Sequence, residues 1–361
     1  MSGSPLHVGV LTGGGDCPGL NAVIRAVTKS LINQAGARVT GIERGFLGMI
    51  ERRSCPLTSE AVSGILHEGG TILGTHNFAN PFAWAGAGGA DLSGEVMEYI
   101  RHLGIDALVA IGGDGTMSIA NRFTPLGLPM VGVPKTIDND LMHTDRTFGF
   151  DSAVAIVAEA LARLETTARS HGRVMIVETM GRYAGWIALE GGLAGGADII
   201  LLPEQPYDLQ NVIDVCKERE KKQGYTLICI AEGARPVNGE MTIHTRLESS
   251  PDPIRLGGVA NVLREQLQPY LVDSEVRSTQ LGHVQRGGTP TPFDRVLATR
   301  FGCHAAKMVE RGEFGQMVVL RGEECASVPL SEVANRTRNV PMDHSLIDVA
   351  LSLGVSLGQP K

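Results

Sequence analysis

DALVAIGGDGT, residues 106–116, runs an unbroken apolar stretch into three glycines set around one aspartate, and a helical pattern follows at about 117–123. A short run that is apolar on both faces is the mark of a strand buried inside a parallel sheet. The glycines end it and turn the chain back. Outward from this stretch the same order recurs. HVGVLT (7–12) precedes GGGDCPG and a helical pattern from Leu20 to Gln34, and RVTGI (38–42) reads as the next strand. PMVGV (129–133) precedes PKTIDND, RVMIVET (173–179) precedes MGRYAGW, TLICIAE (within 225–232) precedes GARP, and STQLGHV (278–284) precedes QRGG. Strand, loop and helix in repetition predict an α/β fold with mostly parallel sheets. A boundary falls near 148–152, where a long helical pattern opens and runs to about Ser170 before a second strand–helix series. With no Gly/Ser linker between them, the two halves are expected to pack with a cleft between them. Residues 235–255 read as an irregular excursion.

The chain has 361 residues, enough for two domains, and 43% of them are hydrophobic, which excludes a disordered chain. No apolar run reaches the length of a membrane span, and the N-terminus lacks the pattern of a signal peptide. The six cysteines are scattered with no CxxC pair, which points to reduced thiols in a cytoplasmic protein rather than disulfides or structural zinc. A net charge of −7 argues against a general nucleic-acid binder. Anionic ligands then require basic residues gathered locally.

In an α/β sheet ligands sit beyond the carboxyl ends of the strands, which is where every Gly- or charge-rich motif of this chain falls. GGGDCPGLN (13–21) is neither a Walker A motif nor a GxGxxG fingerprint. Its glycines let backbone N–H groups approach phosphate oxygens at a helix start. A plain tight turn is an equal reading. GGDGT (112–116) holds Asp114 where it can meet Mg²⁺ beside a triphosphate; an Asx turn or helix cap is the competing reading. PKTIDND (134–140) gathers a lysine, a threonine and two carboxylates. Asp138 and Asp140, two apart in an extended loop, project to one side, with Asp138 as proton acceptor and Asp140 as metal helper. Arg173 and Arg182, and then Arg277, His283 and Arg286, are candidate phosphate ligands. Glu232, at a strand end, can take hydroxyl hydrogen bonds. Together these residues suit phosphoryl transfer between two phosphorylated compounds, and they leave the acceptor unnamed.

Read in order, GGGDCPGLNAVIR (13–25), GGTILGT (69–75), GGDGT, PKTIDND, SHGRVMIVETMGRYAGW (170–186) and STQLGHVQRGGTPTPFDR (278–295) resemble the 6-phosphofructokinases, from about His7 to Phe301. The resemblance implies two Rossmann-like domains: residues 1–149 with about 285–335 for ATP and Mg²⁺, and 150–284 with about 336–361 for fructose 6-phosphate. It implies Gly14, Gly15 and 112–116, with Gly113, Gly115 and Thr116, on the nucleotide phosphates, and Asp114 on Mg²⁺. Thr136 and Asp138 meet the reactive end of the sugar, with Lys135 adding charge near the phosphates and Arg182 stabilising the transition state. Met180, Gly181 and Arg182 line the sugar site, and Glu232, His283 and Arg286 hold the sugar phosphate. Arg173 and Arg277 reach it from a neighbouring subunit, which requires a homodimer or homotetramer.

Two features bear on the donor. Pyrophosphate-using members usually read GGDDT, whereas this chain has Gly115, the ATP form; Lys135, however, matches the pyrophosphate users. The combination resembles the mixed-substrate branch. Where the family supplies an arginine after GGTILGT, this chain has His76 and Asn77 beside the donor. Of the basic residues at the family's effector site, Arg25 and Lys29 match while Glu165 and Gln223 do not, which argues against the usual allosteric control. The main expectation is an ATP-dependent 6-phosphofructokinase. Pyrophosphate dependence, a related sugar-phosphate acceptor and a non-catalytic sugar-phosphate sensor are the alternatives.

Overall fold

The computed structural model describes residues 5–246 and 254–359. Among them thirteen strands occur in chain order: β1 (His7–Thr12), β2 (Arg38–Ile42), β3 (Ser54–Pro56), β4 (Ala107–Gly112), β5 (Met130–Pro134), β6 (Val174–Thr179), β7 (Ile199–Leu201), β8 (Thr226–Ala231), β9 (Ile243–Arg246), β10 (Ile254–Leu256), β11 (Val276–Gln280), β12 (Gln316–Arg321) and β13 (Glu324–Pro329). Seven of them make one sheet in the order β13-β12-β5-β4-β1-β2-β3. Its inner strands are parallel, and β13 and β3 close the edges antiparallel. The second sheet, β11-β6-β8-β7, is parallel throughout. β1, β4, β5, β6 and β8 are buried along their whole length, because helices cover both faces of each sheet.

The first sheet reverses direction between β1 and β4: β2 lies on one side of β1, β4 and β5 on the other. Loops diverging from such a switch point open a crevice at the carboxyl ends. The two Gly-rich turns flank it. The second sheet aims the loops after β6, β8 and β11 at the same space. One continuous core joins the sheets, running from Val10 and Val131 through Phe150, Val157, Trp186 and Phe301 to Val177 and Cys229. The helices Phe150–His171, Trp186–Ala194 and Pro292–Arg311 supply the residues in between.

Three local expectations change. The strand expected to run to 284 stops at Gln280, and Gly282–Arg286 is a 3-10 turn, so His283 stands with Arg286 on a turn rather than on the strand. The helix after β4 begins at Asp114, inside the motif, instead of near 117. Part of the stretch read as irregular, 235–255, is regular: β9 and β10 pair antiparallel, while residues 247–253 of that stretch lie outside the described residues. No helix among the described residues is long and apolar enough to cross a membrane.

Candidate active site

A cavity of about 1060 Å³ lies where the two sets of loops face each other. On the first sheet's side its wall is built from three turns hooked together by backbone. The Gly13 N–H donates to the Ile111 carbonyl at the end of β4 (2.9 Å), and the Lys135 N–H after β5 donates to the Gly112 carbonyl (3.0 Å). The buried Lys135 ammonium bonds the Gly15 carbonyl, and the Thr75 hydroxyl bonds the Gly14 carbonyl. Burial, above all, pushes the Lys135 ammonium below its ordinary value. Arg286 comes from the opposite side and donates to the Asp16 carbonyl (3.3 Å). A Cβ at position 15 would meet this guanidinium, which would have to move aside. At Gly115 a Cβ would meet nothing within 4 Å, and the position opens directly on the cavity.

Asp138 and Asp140 both line the cavity, but not because the loop is extended. Asn139 between them has φ 51°, and this left-handed bend presents both neighbours. Asparagine tolerates that conformation better than most residues. The bend is pinned where the Thr147 N–H donates to Asn139 Oδ1 (3.0 Å) and the Thr147 hydroxyl to the Thr136 carbonyl (2.7 Å). The Asp138 N–H donates to Thr136 Oγ1 (3.0 Å), while its Oδ1 is buried with no partner among the described residues. Burial first, then nearby Asp138 and Asp114, push the Asp140 carboxyl up to about 7, opposed by Arg182.

On the second sheet's side, Arg182 sits at φ 51° and its N–H donates to Glu232 Oε1 (2.9 Å). Burial raises Glu232 to about 7; the Arg182 N–H works against the shift, and Asp138 and Glu178 add to it. The fully buried Gln285 accepts the Met180 N–H (3.3 Å) and donates to the Gly282 carbonyl (3.0 Å), tying the turn that carries His283 and Arg286 to the Met180–Arg182 loop.

Gly14, Gly15, His76, Asn77, 113–116, Lys135, Thr136, Asp138, Asp140, Met180, Arg182, Glu232, His283 and Arg286 therefore meet in one space. Gly181, expected in it, does not line it, and neither do Arg173 and Arg277, which were expected to serve a neighbouring subunit. Gly181 has φ 136° and turns the chain behind its neighbours. Arg173 and Arg277 lie at the start of β6 and on the edge strand β11, where both pair with Glu275 (2.8 Å for Arg173). His76 is packed edge-on to Phe78 and Trp84 and accepts the Phe78 N–H (3.2 Å). Burial, with Arg44 next, lowers its pKa, so it brings no cation at neutral pH.

Sequence reasoning missed Ser118 and Arg122, which also line the cavity. They stand four and eight residues after Asp114, on one helix face. Starting the helix at its true first residue would have exposed them. It missed Gln285 as well, for which a lone glutamine gives no signal. His244, Thr245, Ile254 and Arg255 of the β9–β10 pair line the cavity too.

Among the described residues no three His, Cys, Asp or Glu side chains form a metal cage. A Mg²⁺ ion carried in with phosphates needs only one or two protein carboxylates. Asp114 and Asp140 fit, since their mutual repulsion with Asp138 is of the kind that a cation relieves.

The family model for phosphofructokinase matches residues 7–309. The chain belongs to the phosphofructokinase family. It is 48% identical over 356 residues to ATP-dependent 6-phosphofructokinase 2 of Clostridium perfringens, covering 97% of each chain. It is also 48% identical over 336 residues to pyrophosphate--fructose 6-phosphate 1-phosphotransferase of Streptomyces coelicolor, covering 93% of this chain and 96% of that one. Among solved structures, phosphofructokinase from Saccharomyces cerevisiae matches with a TM-score of 0.76 at 31% identity, over 91% of this chain and 45% of the yeast chain. Phosphofructokinases named for either donor thus stand equally near, so the choice of donor has to be argued from particular residues.

Proposed function

We propose that this chain is an ATP-dependent 6-phosphofructokinase, which transfers the γ-phosphoryl group of ATP to the 1-hydroxyl of fructose 6-phosphate and yields fructose 1,6-bisphosphate and ADP, a glycolytic step. One observation carries the reading: Asp138, with an unpartnered buried carboxylate oxygen, stands in a single cavity between the Gly-rich turns and the Arg182–Glu232–His283 wall. A group there can take the proton of an alcohol as it attacks a phosphoryl group.

On this reading the residues divide by side. The backbone N–H groups of Gly14, Gly15 and 113–116 receive the donor phosphates, with His76 and Asn77 at the same end. Lys135 supplies cationic charge there. Thr136 holds the Asp138 backbone, and Asp138 accepts the 1-hydroxyl proton. Arg182 offers its guanidinium to the phosphoryl group in transit. Glu232, His283 and Met180 receive the sugar, and Arg286 its 6-phosphate. Mg²⁺, held by Asp114 and Asp140, supplies neutralising charge on the donor phosphates when bound.

Lys135 and the pyrophosphate-named relatives favour pyrophosphate as donor. Gly115 outweighs them, because it leaves room and no negative charge where an α-phosphate would lie. The proposed division into a nucleotide domain (1–149 with about 285–335) and a sugar-phosphate domain (150–284 with about 336–361) follows the two sheets. Arg173 and Arg277 complete a partner's sugar site in a homodimer or homotetramer of the cytoplasm.

The test is initial rate with fructose 6-phosphate and Mg²⁺, ATP and pyrophosphate being supplied in parallel. Turnover with ATP is expected. Turnover with pyrophosphate alone would overturn the donor assignment, and binding without turnover by either donor would favour a sensor.

A further inference from the structure

Residues 338–340 touch the loops of both sides of the cleft, yet line no part of the cavity. The Arg338 N–H donates to the Asp140 carbonyl (2.7 Å). Its guanidinium Nη1 donates to the carbonyls of Asn139 (3.3 Å) and Asp145 (3.2 Å). The guanidinium plane lies over the Trp186 indole, 4.2 Å from the ring centre, and the Arg338 carbonyl accepts the indole N–H (2.9 Å). Two residues on, the Val340 N–H donates to Glu204 Oε1 (2.8 Å), which also accepts the Gly185 N–H (2.9 Å). Gly185 and Trp186 end the loop that carries Arg182. Three residues therefore tie the Asp138–Asp140 bend to the Arg182 loop.

The bend depends on such ties. Asn139 is left-handed, a conformation that persists only where its surroundings hold it. Arg338 holds the carbonyl on one side of that residue and, through Asp145, the far limb of the loop. Arginine suits the task, because one guanidinium nitrogen serves two carbonyls while the cation lies over an indole. Lysine can do only part of this.

We propose that Arg338 is a positioning residue for phosphoryl transfer, which keeps the carboxylates of Asp138 and Asp140 in register with Arg182 across the cleft. The proposal rests on the function proposed above. A misplacement on the order of 1 Å at a reacting group lowers rate about a hundredfold without loss of binding.

The experiment compares wild type with Arg338→Met and Arg338→Lys at a temperature well below the lowest thermal midpoint. kcat, both KM values and the midpoint are measured for each. Methionine can still pack on Trp186 and loses the guanidinium donors, while the backbone N–H to the Asp140 carbonyl remains. Expected is a fall in kcat of about 30–300-fold in Arg338→Met, with each KM changed less than about threefold, and partial recovery in Arg338→Lys. A folded Arg338→Met with kcat within about threefold of wild type overturns the proposal, and so does a loss explained entirely by the unfolded fraction. If the methionine variant does not fold, Arg338→Lys decides alone: a kcat equal to wild type overturns the claim. Absence of turnover in the wild type instead overturns the functional reading and this one with it, so the two failures are distinct.

Discussion

Asp138 has a carboxylate oxygen with no partner among the described residues, in a cavity where Glu232 already takes the Arg182 N–H. Leaving an acceptor buried and unmatched is unfavourable, and the proposed role as proton acceptor gives that oxygen a use. Asp138→Asn is expected to lower kcat by about 10²–10⁴-fold while KM for fructose 6-phosphate stays within a few-fold, as steady-state kinetics would read. Gly115 is the complementary case. A Cβ there meets no protein atom within 4 Å, and the position lies in the first turn of a helix, where an acid is tolerated well. Gly115→Asp should leave the thermal midpoint nearly unchanged and raise KM for ATP by about tenfold or more, the effect of ~1.4 kcal/mol of like-charge repulsion. An unchanged KM would remove the steric and electrostatic account of donor choice. Both residues were legible in sequence as motif members. That Asn139 presents Asp138 through a left-handed bend was not, since φ is decided by what surrounds the loop.

Among the elements, the strand ends were the most legible, because a buried parallel strand is written as an uninterrupted apolar run and its end as glycine or charge. The joint between the helices Phe150–His171 and Pro292–Arg311 was hidden. Asp294 is fully buried, and its Oδ2 accepts the Ser152 N–H (2.8 Å) and hydroxyl (2.6 Å). Thr291 caps its own helix through the Asp294 N–H (3.2 Å) and donates to Asp151 (2.6 Å). Burial raises the Asp294 carboxyl to about 6, against the lowering effect of the Ser152 and Gly149 hydrogen bonds. An acid raised above its unfolded value, about 3.9, keeps its proton in the folded chain after the unfolded chain has lost it. Its favourable contribution is therefore full below about pH 4 and is lost as pH rises through 6. Asp294→Asn keeps the acceptor and removes the ionisation. The variant should gain stability relative to wild type between pH 4 and pH 7, by up to about 3 kcal/mol, as urea unfolding at the two pH values would measure. A constant difference across that range would rule out a raised Asp294.

For the whole molecule, the cleft joins two sheets through one core, and Arg173 and Arg277 lie outside it. Arg277 is exposed and paired with Glu275, a kind of surface pair worth under about 1 kcal/mol, so its guanidinium can be drawn to another anion at little cost. If it serves a partner's sugar site, Arg277→Ala should raise KM for fructose 6-phosphate about tenfold or more with kcat little altered, and wild type should sediment as a dimer or larger. A monomer whose KM is indifferent to the substitution would confine the site to one chain.

Alternation of apolar strands with amphipathic helices determined the α/β class by itself, because burial on two faces leaves a periodic record in the chain. The motifs pointed to phosphoryl transfer, because phosphate cradling and proton transfer draw on glycine, lysine and carboxylate in short local spacing, and they left the acceptor open. Two features were decided only by the tertiary structure. The β9–β10 pair lines the cavity, and Gln285 and Arg338 tie its walls together. Each depends on which distant segments meet, and contacts between residues a hundred or more apart leave no pattern in local sequence.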